Sequence, residues 1–583
     1  MKAAALLLAP ARRAARMKAA ILFLAAVPLF AQPVLRTEWR AGVERAVLRH
    51  ASTGAPVTDE DPAAPGETLL AAVSGMTGET AVLVGEEIIP ANLIDEESLE
   101  FTLPEGAAGS FLEISLLGAE GRSNAATLPV SQHDPSQLAA ADVAGLVTRA
   151  ALALDSPRLA VVVTDRLGRP LAIYRRQEAA HGDVETALGL ARTGAFFSHN
   201  QAPLSSRTVR TISRENFPND VPNQPAAALF GIENTNRGCD LNTEFLPGRA
   251  VPPSRSADGT GFGRGVTTVP GGLPVFKNGL MVGGIGVGGV DPNAAEFAAV
   301  SAVAGTEFFV PLPLPPPGAV FIDGIRLPFV AQTTRPAGAQ PASSPGGAHL
   351  FAPRDGGAAP DGYLVGPRGS ATLTSAEVDA IIQRSVERAN RTRAVIRLPL
   401  GSRTRMVVAV TDLTGQILGL FRMPDSTVFS IDVAVAKARN VVYFSGPDAD
   451  PRDLPGVPPG AAVTNRTIGF GAQSFFPSGI RDSSPGPFRD LYQRDLANPC
   501  TQGFQPANRN QSGIVFFPGA APLYRGGRLV GGLGVSGDGV EQDDWVTAAG
   551  AEGFEPPPEI RADQVFIRGV RLPYFKFPRN PEQ

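Results

Sequence analysis

The chain has 583 residues, of which 43% are hydrophobic and 19% charged, with a formal net charge of −4. That balance belongs to a folded protein with apolar cores, and the mature part carries no basic stripe, which argues against nucleic acid as a partner. The length predicts three to four domains at roughly 150 residues each, and 64 glycines with 54 prolines predict many turns and long ordered loops.

Residues 1–32 read as a secretory signal. Arg12, Arg13, Arg16 and Lys18 precede an apolar run over 19–30, and Ala31 offers a cleavage point. Met17-Lys18 reads equally well as a start. The run is short for a membrane span, although Leu29 fits a cleavage site poorly and an uncleaved anchor is the alternative. No other segment is apolar enough to cross a bilayer, so the expectation is an exported protein, secreted or periplasmic.

Residues 40–131 read as all-β. Short runs at 67–73, 80–84, 99–103 and 111–116 are parted by Gly, Pro and Asp-Glu turns, a spacing that suits a small sandwich. Pro65-Gly66-Glu67-Thr68-Leu69, a strand, and then Ser123-Asn124-Ala125 resemble the immunoglobulin-like IPT/TIG modules of secreted bacterial proteins, which implies a spacer or docking module. His50 and His133 flank this stretch.

The remainder is written twice. Val161-Val162-Val163-Thr164-Asp165 matches Val408-Ala409-Val410-Thr411-Asp412 at an offset of 247, which also relates Arg175 to Arg422 and Phe197 to Phe444. The offset is 248 between Gly283-Gly284 and Gly531-Gly532. Two homologous domains are therefore expected, over 137–330 and 373–577, with 331–372 as a Pro/Gly-rich linker lacking a core of its own. Each should open with a helix (138–150 and 373–384), followed by a β-hairpin (159–175 in the first) and a second helix, 183–197 in the first. Residues 199–270 are polar and aperiodic. The repeat then reads as strand, turn, strand, glycine-rich bend and helix, with Asp291 as N-cap and Pro292 at the first helical position.

Val407–Thr411, Gly419-Leu420-Phe421-Arg422-Met423, Ser430, Ala434, Lys437-Ala438 and Gly531–Asp538 together resemble the GlcG/HbpS-like haem-binding family, related to the domain that ends some PduO-type cobalamin adenosyltransferases. The first repeat departs from the pattern, with Leu190 in the place of Lys437 and Arg175-Arg176-Gln177 in that of Arg422-Met423-Pro424. The resemblance covers about two thirds of the chain. It implies α/β, profilin-like domains, each a central antiparallel sheet flanked by helices. It also implies an internal pseudo-dimer of the two repeats, self-association, and haem or a related tetrapyrrole as ligand.

Haem iron takes a His, Met, Cys or Tyr ligand. His181 and His199 bracket the second helix of the first repeat and are the candidates there, against the plainer reading of surface histidines; His349 falls in the linker. The second repeat has no histidine, so Met423 or Tyr443 would have to serve, although both residue types are more often core. Arg175 and Arg422, at equivalent strand ends, are candidates for pairing with propionates, as is Lys437; ordinary ion pairs are the alternative. The glycine-rich stretch lacks the Lys-Ser/Thr of a phosphate loop and reads as packing glycine. Asp538, Glu541, Asp543 and Asp544 do not have the spacing of a calcium loop, and acids at a helix start are favoured by the dipole anyway. Cys239 and Cys500 occupy corresponding loops. In an exported protein they pair, or remain as two free thiols. No nucleophile triad, HExxH or paired catalytic carboxylates emerge. The leading expectation is a haem-binding protein for scavenging or sensing, followed by an interaction protein that has kept the fold without a cofactor, and then a haem-dependent oxidoreductase.

Overall fold

The computed structural model describes residues 32–582 except 41–42, 59–60, 86, 105–106, 108–110, 120, 131–135, 220, 247, 313, 315–318 and 481. His133 and the signal expected over 1–32, save its last residue, lie outside the described residues. No described helix is long and apolar enough to cross a membrane.

The N-terminal body contains strands and no helix among its described residues. Thr68–Ser74 shows the period of a half-buried strand, sinking Leu69, Ala71 and Val73 into a core with Val82, Leu99, Phe101 and Ile114. The sheet begins before residue 40, because Val34–Leu35 pairs antiparallel with Thr68–Ser74. His50 lies inside this body, 6% exposed, with Nδ1 2.6 Å from the Glu67 carboxylate.

The first repeat is α1 (Ala140–Ala153), β1 (Ala160–Asp165), β2 (Pro170–Arg175), α2 (His181–Phe197), β3 (Gly272–Lys277), β4 (Leu280–Gly288) and α3 (Pro292–Val303). The chain then adds β5 (Ala348–Phe351) and β6 (Gly362–Val365). The second repeat follows as α4 (Ser375–Arg391), β7 (Val407–Thr411), β8 (Ile417–Arg422), α5 (Phe429–Phe444), β9 (Ala520–Arg525), β10 (Arg528–Ser536) and α6 (Val540–Gly550). The first sheet runs β3-β4-β1-β2-β5 and the second β9-β10-β7-β8-β6, the same order with every pairing antiparallel. Even the irregularities recur: the register shifts at Val163/Thr164 and at Val410/Thr411, and again at Val275/Phe276 and Leu523/Tyr524. The segment expected to be a bare linker supplies the edge strand of both sheets, β5 pairing with β2 and β6 with β8.

The glycine-rich run is strand rather than bend, since Gly283 to Gly288 all lie within β4. The reason is the helix behind it. A Cβ on Gly286 would sit 2.1 Å from the Ala187 carbonyl oxygen, and one on Gly534 2.1 Å from that of Ala434. α2 and α5 therefore rest on their sheets backbone to backbone, closer than any side chain permits. Local rules hold at the ends: Asp291 accepts the Asn293 N–H with Pro292 at the first helical position, and Thr374 and Glu377 form a reciprocal capping box.

The two bodies share one core, in which Phe196 and Phe197 of α2 pack with Phe429, Ile431 and Val433 of α5, and the Val428 N–H donates to the Phe196 carbonyl at 3.1 Å. Beside it lies a buried charge cluster. Asp425 accepts from Arg166 of the first body at 2.9 Å and from Arg397 of the second at 2.9 Å. Arg397, 1% exposed, also pairs with Asp538, which is fully buried. Burial alone would raise the Asp425 pKa, but the neighbouring cations bring it down to about 2.

Residues 199–270 form little regular structure beyond a short helix at Ser206–Thr211 and a single turn at Ile232–Asn234. They are ordered by reaching across to the other body. The Asn236 N–H donates to Asp432 at 2.8 Å, Asn234 Nδ2 to Asp495 at 2.9 Å, and Asn242 Nδ2 to Asn510 at 2.6 Å. Cys239 and Cys500 close this interface as a disulfide across 261 residues of sequence.

Burial pushes the Asp495 pKa from 3.8 up to about 7, against the pull of Asn234 and the Ile514 N–H. The native state therefore holds a proton that the unfolded chain has lost between pH 4 and 7, so this stabilisation is full below pH 4 and fades as the pH rises through 7. Asp495→Asn is expected to remove its share of that slope. Against wild type, the variant should gain on the order of 3 kcal/mol between pH 4 and pH 8, measured as Tm or urea midpoint. Asp432 and Asp543 are raised by the same burial and keep theirs. The unpartnered Oδ1 of Asn234 gives the new amide an acceptor if Asn234 turns over.

Candidate functional site

A cavity of about 830 Å³ opens between the two bodies. The end of α2 and the start of α5 bring Phe197 and Phe429 into a stack at 4.1 Å and 15°, and Phe517, from the loop before β9, adds a third ring. The end of β10 supplies Ser536 and the first turn of α6 supplies Gln542 and Asp543, while residues 576–579 close one side. Arg393 and Arg579, both exposed, line it and make no ion pair with any described residue. A smaller cavity of about 440 Å³ lies between the N-terminal body and the first repeat. The larger one joins stacked rings with convergent polar groups, the combination expected of a ligand site.

One wall is unusually charged for its depth. Lys437, 0% exposed, donates to the Val535 carbonyl at 2.8 Å and to Asp543 at 3.0 Å, with its ammonium 4.9 Å from the centre of the Phe517 ring. Burial lowers the Lys437 pKa and raises that of Asp543 to about 7. Oδ1 of Asp543 has no hydrogen-bond partner. The neighbouring Asp544 pairs with Arg466, and Ser536 donates to Ser430 at 3.0 Å. Each of the four acids read as helix-start residues has its own cation: Asp538 has Arg397, Glu541 has Lys576, Asp543 has Lys437 and Asp544 has Arg466.

The other residues singled out from sequence lie away from this cavity. His181 is exposed at the start of α2, 3.7 Å from Glu185. His199 is fully buried, its Nδ1 accepting the Gln201 and Ala202 N–H groups at 3.2 and 3.1 Å. Burial, then the Arg397 charge, holds its pKa well below the usual range. Arg175 donates to the Ala179 carbonyl at 3.3 Å. Arg422, 2% exposed, spends its guanidinium on the Ser426 and Pro360 carbonyls, and burial takes its pKa down to about 9. The Met423 sulfur accepts the Met406 N–H at 3.3 Å inside a core, and Tyr443 donates to Asp453 at 2.7 Å. None of the ligand candidates read from the sequence lines the cavity; Lys437 stands behind its wall, bonded to Asp543, which does line it. Phe429, Phe517, Arg393 and Arg579 went unnoticed because nothing local marks them; they converge only through the packing of one body on the other.

A family model described as haem degrading protein HbpS-like matches residues 137–304 and again 373–552. The chain belongs to the HbpS-like family. Among solved structures, this HbpS-like chain is similar to a PduOC:heme complex, at 21% identity over 31% of this chain and 95% of that one, with a TM-score of 0.20. It is similar to the Klebsiella pneumoniae protein ORFY, at 19% identity over 33% and 96%, with a TM-score of 0.21. A double mutant of Streptomyces reticuli HbpS gives 21% identity over 34% and 99%, with a TM-score of 0.20. A comparison with curated proteins gives no match. The two HbpS-like matches correspond to the two bodies that enclose the cavity.

Proposed function

We propose that this HbpS-like protein is an exported binding protein that holds a tetrapyrrole in the cavity between its two bodies. The observation that carries the reading is the cavity itself: about 830 Å³ with the Phe197–Phe429 stack in its wall and two arginines on its lining that pair with no described acid. Aromatic rings suit a conjugated macrocycle, and guanidinium groups suit its acid side chains. The family description names haem, and the fit to haem divides. The rings and cations match the macrocycle and its propionates. The iron finds nothing, since no histidine, methionine, cysteine or tyrosine lines the cavity among the described residues. His199, the one deeply buried histidine of the first body, does not line it. Binding therefore rests on the organic frame of the ligand. The N-terminal β body is proposed as an immunoglobulin-like spacer and the two repeats as profilin-like domains. The disulfide, together with the basic-then-apolar start of the sequence, supports an oxidising compartment outside the cytoplasm.

The test is an absorbance titration of the purified protein with protoporphyrin IX and with haem. A saturable change at micromolar ligand is expected. Reversing both charges, Arg393→Glu with Arg579→Glu, should weaken binding about tenfold without lowering Tm, because neither arginine holds an ion pair with a described residue. Flat titrations with both ligands would favour an interaction protein that has kept the fold alone.

A further inference from the structure

The Lys437–Asp543 pair is not something the fold requires. Around Gly519, a Cβ would meet Asp543 Cβ and Lys437 Nζ, each at 2.7 Å; around the equivalent Gly271, it would meet Ala295 Cβ at 2.9 Å and Leu190 Cδ1 at 3.1 Å. The first body thus fills the same place with a leucine and an alanine, both buried in apolar company. The second replaces them with two charges, although an isolated buried ion pair is seldom more stable than the apolar residues it displaces. It leaves one oxygen of Asp543 without a hydrogen bond on the wall of a cavity whose lining holds no ligand for iron. A buried acceptor with no donor is costly unless something supplies one.

We propose that Asp543 selects an open-chain, metal-free tetrapyrrole, accepting hydrogen bonds from its pyrrole N–H groups while Arg393 and Arg579 take the propionates. This rests on the cavity being the tetrapyrrole site and adds which tetrapyrrole it takes. In haem the four pyrrole nitrogens are bound to iron and offer no N–H. In intact protoporphyrin the two N–H groups point to the ring centre, closed to an acceptor at the side. Opening the ring frees them to turn toward a single carboxylate. Lys437 holds that side chain in place, 3.0 Å from its other oxygen.

The test is a fluorescence and absorbance titration of the full chain with biliverdin, protoporphyrin IX and haem. A parallel titration uses the double variant Lys437→Leu with Asp543→Ala, which copies the pair that the first body already folds around. Biliverdin should bind at least tenfold tighter than haem, and the double variant should lose about tenfold or more for biliverdin while holding haem and protoporphyrin within twofold. Asp543→Asn alone should lose most of the biliverdin preference with Tm within a few degrees of the double variant. Haem binding as tightly as biliverdin, or an unchanged biliverdin affinity in the double variant, would overturn the assignment and leave the cavity as a general tetrapyrrole site. Binding of none of the three would overturn the cavity reading, and this inference with it.

Discussion

Arg397→Ala is expected to lower stability by about 3–5 kcal/mol, the largest loss from any single side chain in the interface. The arginine is buried and serves two acids at once, Asp425 at 2.9 Å and Asp538. Removing it leaves Asp538 sealed from water with only the Arg405 N–H, 2.7 Å away, to hold its charge. The Asp425 carboxylate, whose pKa its cations bring down to about 2, would keep Arg166 and the Asn200 N–H. Urea unfolding followed by circular dichroism reads the loss, and Arg397→Lys separates its sources: lysine restores one charge without the fork that reaches both acids, so it should recover less than half. A loss below 1 kcal/mol would mean that water enters the cluster.

Removing the disulfide by Cys239→Ser with Cys500→Ser should cost about 5 kcal/mol, because the closed loop of 261 residues strongly restricts the unfolded chain. A thiol count on the unreduced protein should find none. The two bodies remain joined through β5 and β6, so the consequence reaches beyond a lower midpoint. The long loops that carry Asn234, Cys239 and Asn242 meet the second body through polar contacts and through Ile232, Leu241 and Phe245 of the shared core, but they have little regular structure of their own, and without the bridge they should exchange amide hydrogens faster than the sheets do. Hydrogen exchange resolved by peptide would show protection falling over 232–245 first.

Much of the fold was legible because duplication writes the same constraint twice. The offset of 247 at Asp165 and Asp412 becomes 248 by the glycine run, and the structure repeats even the register shifts between those points. Asp291-Pro292 announced its helix start through rules that act within four residues. The glycine run was legible as close approach but not as strand, because glycine has low strand propensity in isolation and only the helix laid across β4 makes it the residue that fits. The site was mostly illegible. Its walls come from positions as distant as 197 and 579; arginines such as 422 read as ligand contacts until backbone carbonyls are seen to absorb their donors. The one useful local signal was a difference between the copies, lysine at 437 against leucine at 190, which marks where the second body departed from what packing alone needs.

The strands β5 and β6 decide where this protein can be divided for study. A cut placed at 330 or at 373, where the sequence repeats end and begin, strips one sheet of its outer strand and bares a row of unpaired amides to any neighbour that can pair with it. Between 351 and 362 the chain has left one sheet and not yet joined the other. A protease site placed there would release two halves with their edges covered, joined only by the disulfide and the shared core, and would let the grip between them be measured by adding reductant.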